Sequence, residues 1–152
     1  MSVSVPGLAA RETACTGRAR QCEKIGEICK TLVACGLVAL DDQAQALGLC
    51  RSTTWTLLRG IHKSSGLSAS TVNKILSAPR LPASVRLKVL EYVAEKVTGE
   101  YGDRSHRLKA YARRLDPRHL RAGSLEVSAL LDLSMWRDRQ MIFPQGEVRK
   151  HK

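Results

Sequence analysis

LDDQAQALGLCRSTTWTLLRG, Leu40 to Gly60, patterns as two short helices joined by a tight turn at Gly48. The left-handed backbone of such a turn resists a side chain, and glycine has none. Asp41 or Asp42 is placed to cap the first helix, its carboxylate meeting free N–H groups and the positive helix end. Ala44 falls at the close helix–helix contact, and Leu47, Leu49, Leu57 and Leu58 point inward. The second helix, from Arg51 to about Leu58, then turns Arg51, Ser52, Thr53, Trp55, Thr56 and Arg59 outward. Small hydroxyls and arginines on an exposed helix, propped on apolar residues, suit readout of the DNA major groove.

Upstream, Cys22, Ile25, Cys29, Leu32, Val33 and Gly36 recur at helical spacing, with Glu23, Lys24, Glu27 and Lys30 outside. That pattern predicts a helix from about Arg20 to Cys35. Residues 1–19, with Pro6, Gly7, Gly17 and no periodicity, read as a flexible arm. Downstream lies a basic, flexible loop, Ile61-His62-Lys63-Ser64-Ser65-Gly66. Ser68 is a strong N-cap for a helix over Ala69–Ser77, with Val72, Ile75 and Leu76 inward and Pro79 as its stop. Pro82 opens a fifth helix, where a missing N–H costs nothing; Val85, Val89, Tyr92, Val93 and Val97 line one face until Gly99.

Asp103 is placed to cap a basic sixth helix running to about Leu115, with Leu108, Tyr111, Ala112 and Leu115 as its apolar stripe. After Asp116-Pro117 the composition shifts; Ser124 to Arg137 patterns as a further amphipathic helix and Ile142 to Lys152 as a loose tail. The expected fold is all-α, a compact bundle of about five helices containing a helix-turn-helix, with a basic C-terminal helix and flexible arms. Its parts are an arm over 1–19, the bundle over 20–100, the basic helix over 101–116 and an extension over 117–152.

At 152 residues the chain suits one domain of roughly 80–100 ordered residues with arms. Aromatic residues are 4%, so the core must come mostly from Leu, Val, Ile and Ala. Lys and Arg outnumber Asp and Glu by 25 to 14, and the excess is local. Residues 51–122 hold fifteen basic and five acidic side chains, and no acid occurs from Gln43 to Leu90. An acid-free run of that length on a folded domain offers a positive face to a polyanion.

The five cysteines form no CxxC pair; Cys22 and Cys29 share a face with Ile25 and Leu32 and read as small core residues. Reduced thiols indicate a cytoplasmic setting. No His stands at ligand spacing from a Cys pair, so no metal and no cofactor is expected. The N-terminus lacks an apolar signal core, and no run nears the ~20 apolar residues of a span, so no membrane partner is expected. Its Arg-containing, acid-poor start faintly resembles an organellar transit peptide. Paired carboxylates, a Ser or Cys with a His at working distance and a Gly-rich phosphate loop are all lacking, so no catalytic residue is named and the chain is not read as an enzyme. Few aromatics argue against stacking on single-stranded RNA.

Gln43 to Gly60 resembles the helix-turn-helix of phage-repressor-like regulators, the lambda repressor family, through Ala44, Gly48, Leu49, Leu57 and the closing Gly60. The similarity extends through Ile61 and Asn73-Lys74-Ile75-Leu76 to the fifth helix, about residues 22–98. It implies a five-helix bundle with the third helix in the major groove and the following loop near phosphate. Cys50 stands where that family places Ser, Thr or Gly, and Thr54 where it prefers Val or Ile. A competing register, Gly66 to Leu76, is similar to the turn and recognition helix of the lac-repressor type. There His62 replaces the tightly packed Ala and Lys63-Ser64-Ser65 offers no apolar face, so the Arg51 helix is taken as the reader over Ser70 and Asn73.

On this reading Arg51 contacts a guanine edge or clamps phosphate, and Ser52 and Thr53 bond phosphate or base, or cap their own helix. Thr56 and Arg59 complete the face, while His62, Lys63 and Lys74 meet the phosphate backbone. Trp55 packs on sugar or a thymine methyl or, as the preferred placement, plugs the core beside Leu58. Arg113 and Arg114 divide evenly between phosphate contact and solvated helix face. Leu130, Leu131, Leu133, Met135 and Trp136 offer a homodimer contact or an extra core helix. The function expected is sequence-specific binding of double-stranded DNA by a transcriptional regulator of a bacterial mobile or phage-derived system, cytoplasmic and nucleoid-associated. An accessory DNA-architecture factor (an excision or transposition helper) and an antitoxin-like protein-interaction module are the alternatives.

Overall fold

A computed structural model describes the backbone of residues 8–61 and 65–121 and the side chains of residues 16–61 and 65–120. His62, Lys63 and the expected 124–137 helix with its Leu130–Trp136 cluster lie outside the described residues. Within them the chain is all-helical: α1 (Leu8–Ala34), α2 (Leu40–Leu47), α3 (Arg51–Leu58), α4 (Ala69–Ser77), α5 (Ala83–Thr98), α6 (Ser105–Arg114) and α7 (Pro117–Arg121). None of these helices is long and apolar enough to cross a membrane.

α1 begins at Leu8, inside the stretch expected to be an arm. Gly17, counted with that arm, is buried within the helix; a Cβ there would stand 2.7 Å from the carbonyl of Tyr101. The missing side chain is what lets α1 approach the chain just beyond α5. The inward face of α1 also differs in phase from the expectation. Ile25, Ile28 and Leu32 are at most 1% exposed, Cys29 is half-buried, and Cys22 and Val33 face outward. Periodicity alone does not choose between adjacent faces of a helix; the side that meets α5 decides.

The broadest helix–helix contact is α1 against α5. Leu47, Leu57, Val72, Ile75 and Leu76 from α2, α3 and α4 join Val85, Val89, Leu90, Tyr92 and Val93 from α5 in one core, each at most 3% exposed. Burying such a side chain stabilises by ~1.5–3 kcal/mol. Alongside, Arg20, Lys24 and Lys88 pair with Glu27, Glu91 and Glu95 at 2.9–3.6 Å. Partly exposed pairs of this kind contribute only ~0–1 kcal/mol each, so the apolar seam holds α1 to α5 and the ions tune it. Burial pushes the Glu95 carboxyl up, but the Arg20 hydrogen bond and the Lys24 and Arg20 charges outweigh it and hold it below its ordinary value. A depressed carboxylate contributes stability above its unfolded pKa and loses it as pH falls, so acid weakens this seam.

Two expected caps are not made. The N-cap of α2 is Ala39, with no side-chain hydrogen bond, and Asp41 and Asp42 lie within the first turn, where their charge still favours the positive helix end. The N-cap of α6 is Arg104, also without a side-chain bond, because Asp103 turns instead to Lys96 Nζ at 3.3 Å. Ser68 caps α4 as expected, its Oγ accepting from the Thr71 amide at 3.1 Å.

Ser65 to Leu67, at the end of the segment expected to be loose, is pinned. Gln21 Nε2 donates to the Ser65 carbonyl at 3.4 Å and to the Tyr92 hydroxyl at 3.2 Å, which also accepts from the Leu67 amide at 2.9 Å. Lys96 Nζ donates to the Ser65 carbonyl as well. α6 leans on α4 and α5, and Leu115, 7% exposed, belongs to the common core, which therefore continues past residue 100. α7, not expected from the sequence, is a single turn capped by Asp116, whose Oδ1 accepts from the Arg118 amide at 2.9 Å.

Candidate nucleic-acid interface

The α2–α3 turn is built by Gly48 at φ 63° and ψ 27°. The Leu49 amide donates to the Ala44 carbonyl at 3.0 Å and that of Gly48 to the Gln45 carbonyl at 3.3 Å, closing α2 with the paired bonds of a left-handed C-terminal cap. A Cβ at Gly48 would lie 3.1 Å from Ala78 Cβ and 3.3 Å from the Lys74 carbonyl, so the turn rests directly on the end of α4.

Thr54 and Leu57 seat α3 at 0% and 3% exposure, while Leu58 and Leu49 are only half-buried. Thr54, polar where an aliphatic residue was preferred, donates its hydroxyl to the Cys50 carbonyl at 3.1 Å, so no polar group is left unsatisfied beneath the helix. Arg51, Ser52, Thr53 and Arg59 are exposed, and Thr56 is half-exposed with its hydroxyl donated back to the Ser52 carbonyl at 2.8 Å. Trp55 corrects the core placement: it is 45% exposed, with the Arg59 guanidinium 5.4 Å from its ring centre. Position 55 lies one residue past buried Thr54 and two before Leu57, so the helical rotation carries it off the seated face.

Arg51 is held by Asp41, Nη1 lying 3.0 Å from Oδ1, with both side chains about two-thirds exposed at 68% and 71%. Lys74 is exposed on α4 and makes no ion pair among the described residues. The neighbouring Asn73, the alternative reader, is committed elsewhere. Its Nδ2 donates to the Arg114 carbonyl at 2.8 Å and its Oδ1 accepts from the Asp116 amide at 3.0 Å, with α6 and α7 against α4. Ser70 remains exposed.

Cys50 is the N-cap residue of α3, and its sulfur has partners that the helix-turn-helix pattern does not specify. Its Sγ lies 3.3 Å from Ser52 Oγ and 2.9 Å from Thr53 Oγ1. Those hydroxyls, the Ser52 bond foremost, and the Thr53 amide stabilise the thiolate and bring the thiol down to about 7. The signal is legible, since a Cys at the start of a helix followed by hydroxyl residues two and three positions on has O–H groups within reach of its sulfur. Alkylation of Cys50 by iodoacetamide, followed by peptide mass spectrometry across pH, is expected to be half-maximal at about 7, because the reactive thiolate accumulates as pH rises. Burial pushes the Cys29 thiol up, and that residue should react far more slowly. A midpoint near ~8.5, the value of an ordinary thiol, would show that these bonds do not form in solution.

No protein-family model, curated protein or solved structure matches this chain.

Proposed function

We propose that the protein binds double-stranded DNA sequence-specifically through α3 and serves as a transcriptional regulator. The observation that carries this is the division of α3: Thr54 and Leu57 anchor it, while Arg51, Ser52, Thr53, Trp55 and Arg59 face solvent. A helix presented in this way fits the ~12 Å major groove, and Arg51 at its first turn is the group nearest to base-edge work. Docking exchanges the Asp41 pair for DNA. An exposed pair is worth ~0–1 kcal/mol, against ~1–3 kcal/mol for a bidentate guanine contact, so the exchange favours DNA. Arg59 over Trp55 offers an apolar and cationic edge to sugar and phosphate, and Lys74, with His62 and Lys63 of the connecting loop, supplies backbone contacts whose strength comes from counterion release.

Selection of bound duplexes from a random pool, followed by anisotropy titration of the enriched sequence, tests this. Arg51→Ala is expected to weaken binding to that sequence by about 5- to 100-fold and to scramble the preference at one position. Asp41→Asn, which releases Arg51 and removes a negative charge from the face, should tighten binding. Failure to retain any duplex at about 50 mM salt, where phosphate contacts are strongest, would overturn the reading.

A further inference from the structure

A cleft of about 460 Å³ lies between α4 and the α6–α7 corner. Ser68, Ser70, Lys74 and Ser77 come from the α4 side, and Arg114 and His119 from the other. Among the described residues no carboxylate lines it. Asp116, next to the α6 wall, is already engaged: its Oδ1 accepts from the Arg118 amide and its Oδ2 lies 3.7 Å from His119 Nε2, while Asp103 in the adjoining cavity pairs with Lys96. Asn73 ties the two walls together through the Arg114 carbonyl and the Asp116 amide, which sets their spacing while using only the backbone of Arg114. The cationic ends of Lys74 and Arg114 make no ion pair among the described residues.

A lysine on one wall of a cleft and an arginine on the other, with serines in the lining, select for an oxyanion with several acceptor oxygens. A carboxylate would satisfy the arginine fork and leave the lysine idle, whereas a tetrahedral phosphate presents oxygens to both walls at once, with Ser70 beside it; the Ser77 hydroxyl is donated to the Lys74 carbonyl and Ser68 Oγ caps α4. We propose that this cleft is a binding site for a phosphate group. Its volume accommodates the phosphate with the sugar that carries it, either as a free phosphorylated molecule or as part of a phosphodiester backbone. The site stands on its own residues and does not require that α3 read DNA.

Titration of the ¹⁵N-labelled full chain with inorganic pyrophosphate, followed by amide shifts, tests the site directly. Saturable shifts are expected at residues 68–77 and 114–119, lost in the Lys74→Gln/Arg114→Gln double variant and retained in Arg51→Ala. Both replaced side chains are exposed, and an unchanged melting curve establishes that the double variant folds. A second arm separates the two sources with the Arg114→Gln single variant, because Lys74 is already counted among the backbone contacts of the DNA reading: if the phosphate belongs to a nucleic-acid backbone, the salt dependence of duplex binding loses about one unit of slope in that variant. If the slope is unchanged, the ligand is a free phosphorylated molecule. Shifts spread evenly over the surface arginines, or persisting in the double variant, would overturn the proposal. A chain that binds no duplex would end the α3 reading and leave the pyrophosphate arm to decide this one.

Discussion

Gly66→Ala is expected to destabilise the fold by about 3 kcal/mol or more, since two separate penalties coincide at one Cα. Gly66 sits at φ 70°, a backbone that costs an L-residue roughly 1–2 kcal/mol. The new Cβ would also collide with the Gln21 amide and the Tyr92 hydroxyl, both buried. Moving either breaks the bonds from Gln21 and the Leu67 amide to Tyr92, and a buried polar group left unpaired costs ~1–3 kcal/mol. A thermal melt should fall by roughly 12–24 °C at ~4–8 °C per kcal/mol. Gly36→Ala is the control, because Gly36 has φ 82° with nothing within 4 Å of its missing Cβ. It should cost only the backbone part, roughly 1–2 kcal/mol. Equal losses at the two positions would mean that the Gln21–Tyr92–Leu67 junction carries no weight.

Asp103→Asn should be the second large loss, about 3 kcal/mol, while Lys96→Met at the other end of the same pair should cost much less. Lys96 is 4% exposed and lies between the rings of Tyr92 and Tyr111, 5.8 and 5.1 Å from their centres. Burial pushes its ammonium below the ordinary lysine value, and Asp103 partly restores it. Removing Asp103 strands a buried charge. Removing the lysine leaves a carboxylate that keeps partial contact with water, its side chain 19% exposed against 5% for the lysine, with methionine filling the apolar stem's place. The pH dependence has a definite sign. A lysine whose folded pKa lies below its unfolded value binds fewer protons when folded, so stability rises with pH between those two values. The gap between Asp103→Asn and the parent should therefore narrow in urea titrations as pH is raised from neutral into the lysine range, where the unpaired lysine of the variant sheds its buried charge first. A constant gap would remove the buried charge from the explanation.

Much of the α2–α5 segment is legible in the chain itself. Arg51–Leu58, Ala69–Ser77 and the Gly48 turn stand where punctuation by Gly, Ser and Pro puts them, and Val72, Ile75, Leu76, Val85, Val89 and Val93 are buried as their spacing implies. Those signals act within one or two turns of helix, so neighbours in sequence are sufficient. The failures are equally specific. Ile28 replaces Val33 on the inner face of α1, Trp55 leaves the core, and Asp103 abandons the α6 cap for Lys96. The first two depend on which of two adjacent helix faces another helix covers, and the third on the turn after α5 folding Asp103 back onto Lys96, seven residues earlier.

What the sequence determined by itself was the list of helices from α2 to α6 and the acid-poor, arginine-bearing character of α3, since propensity, caps and charge are properties of short segments. Only the tertiary structure decided that α1 closes on α5 through Gly17 and that Ser65–Leu67 is strapped to Gln21, Tyr92 and Lys96. It likewise decided that α4 meets the α6–α7 corner through Asn73, bringing Lys74 and Arg114 to one cleft. Close approach and buried hydrogen bonding are set by which surfaces meet, and that is a property of the packed chain.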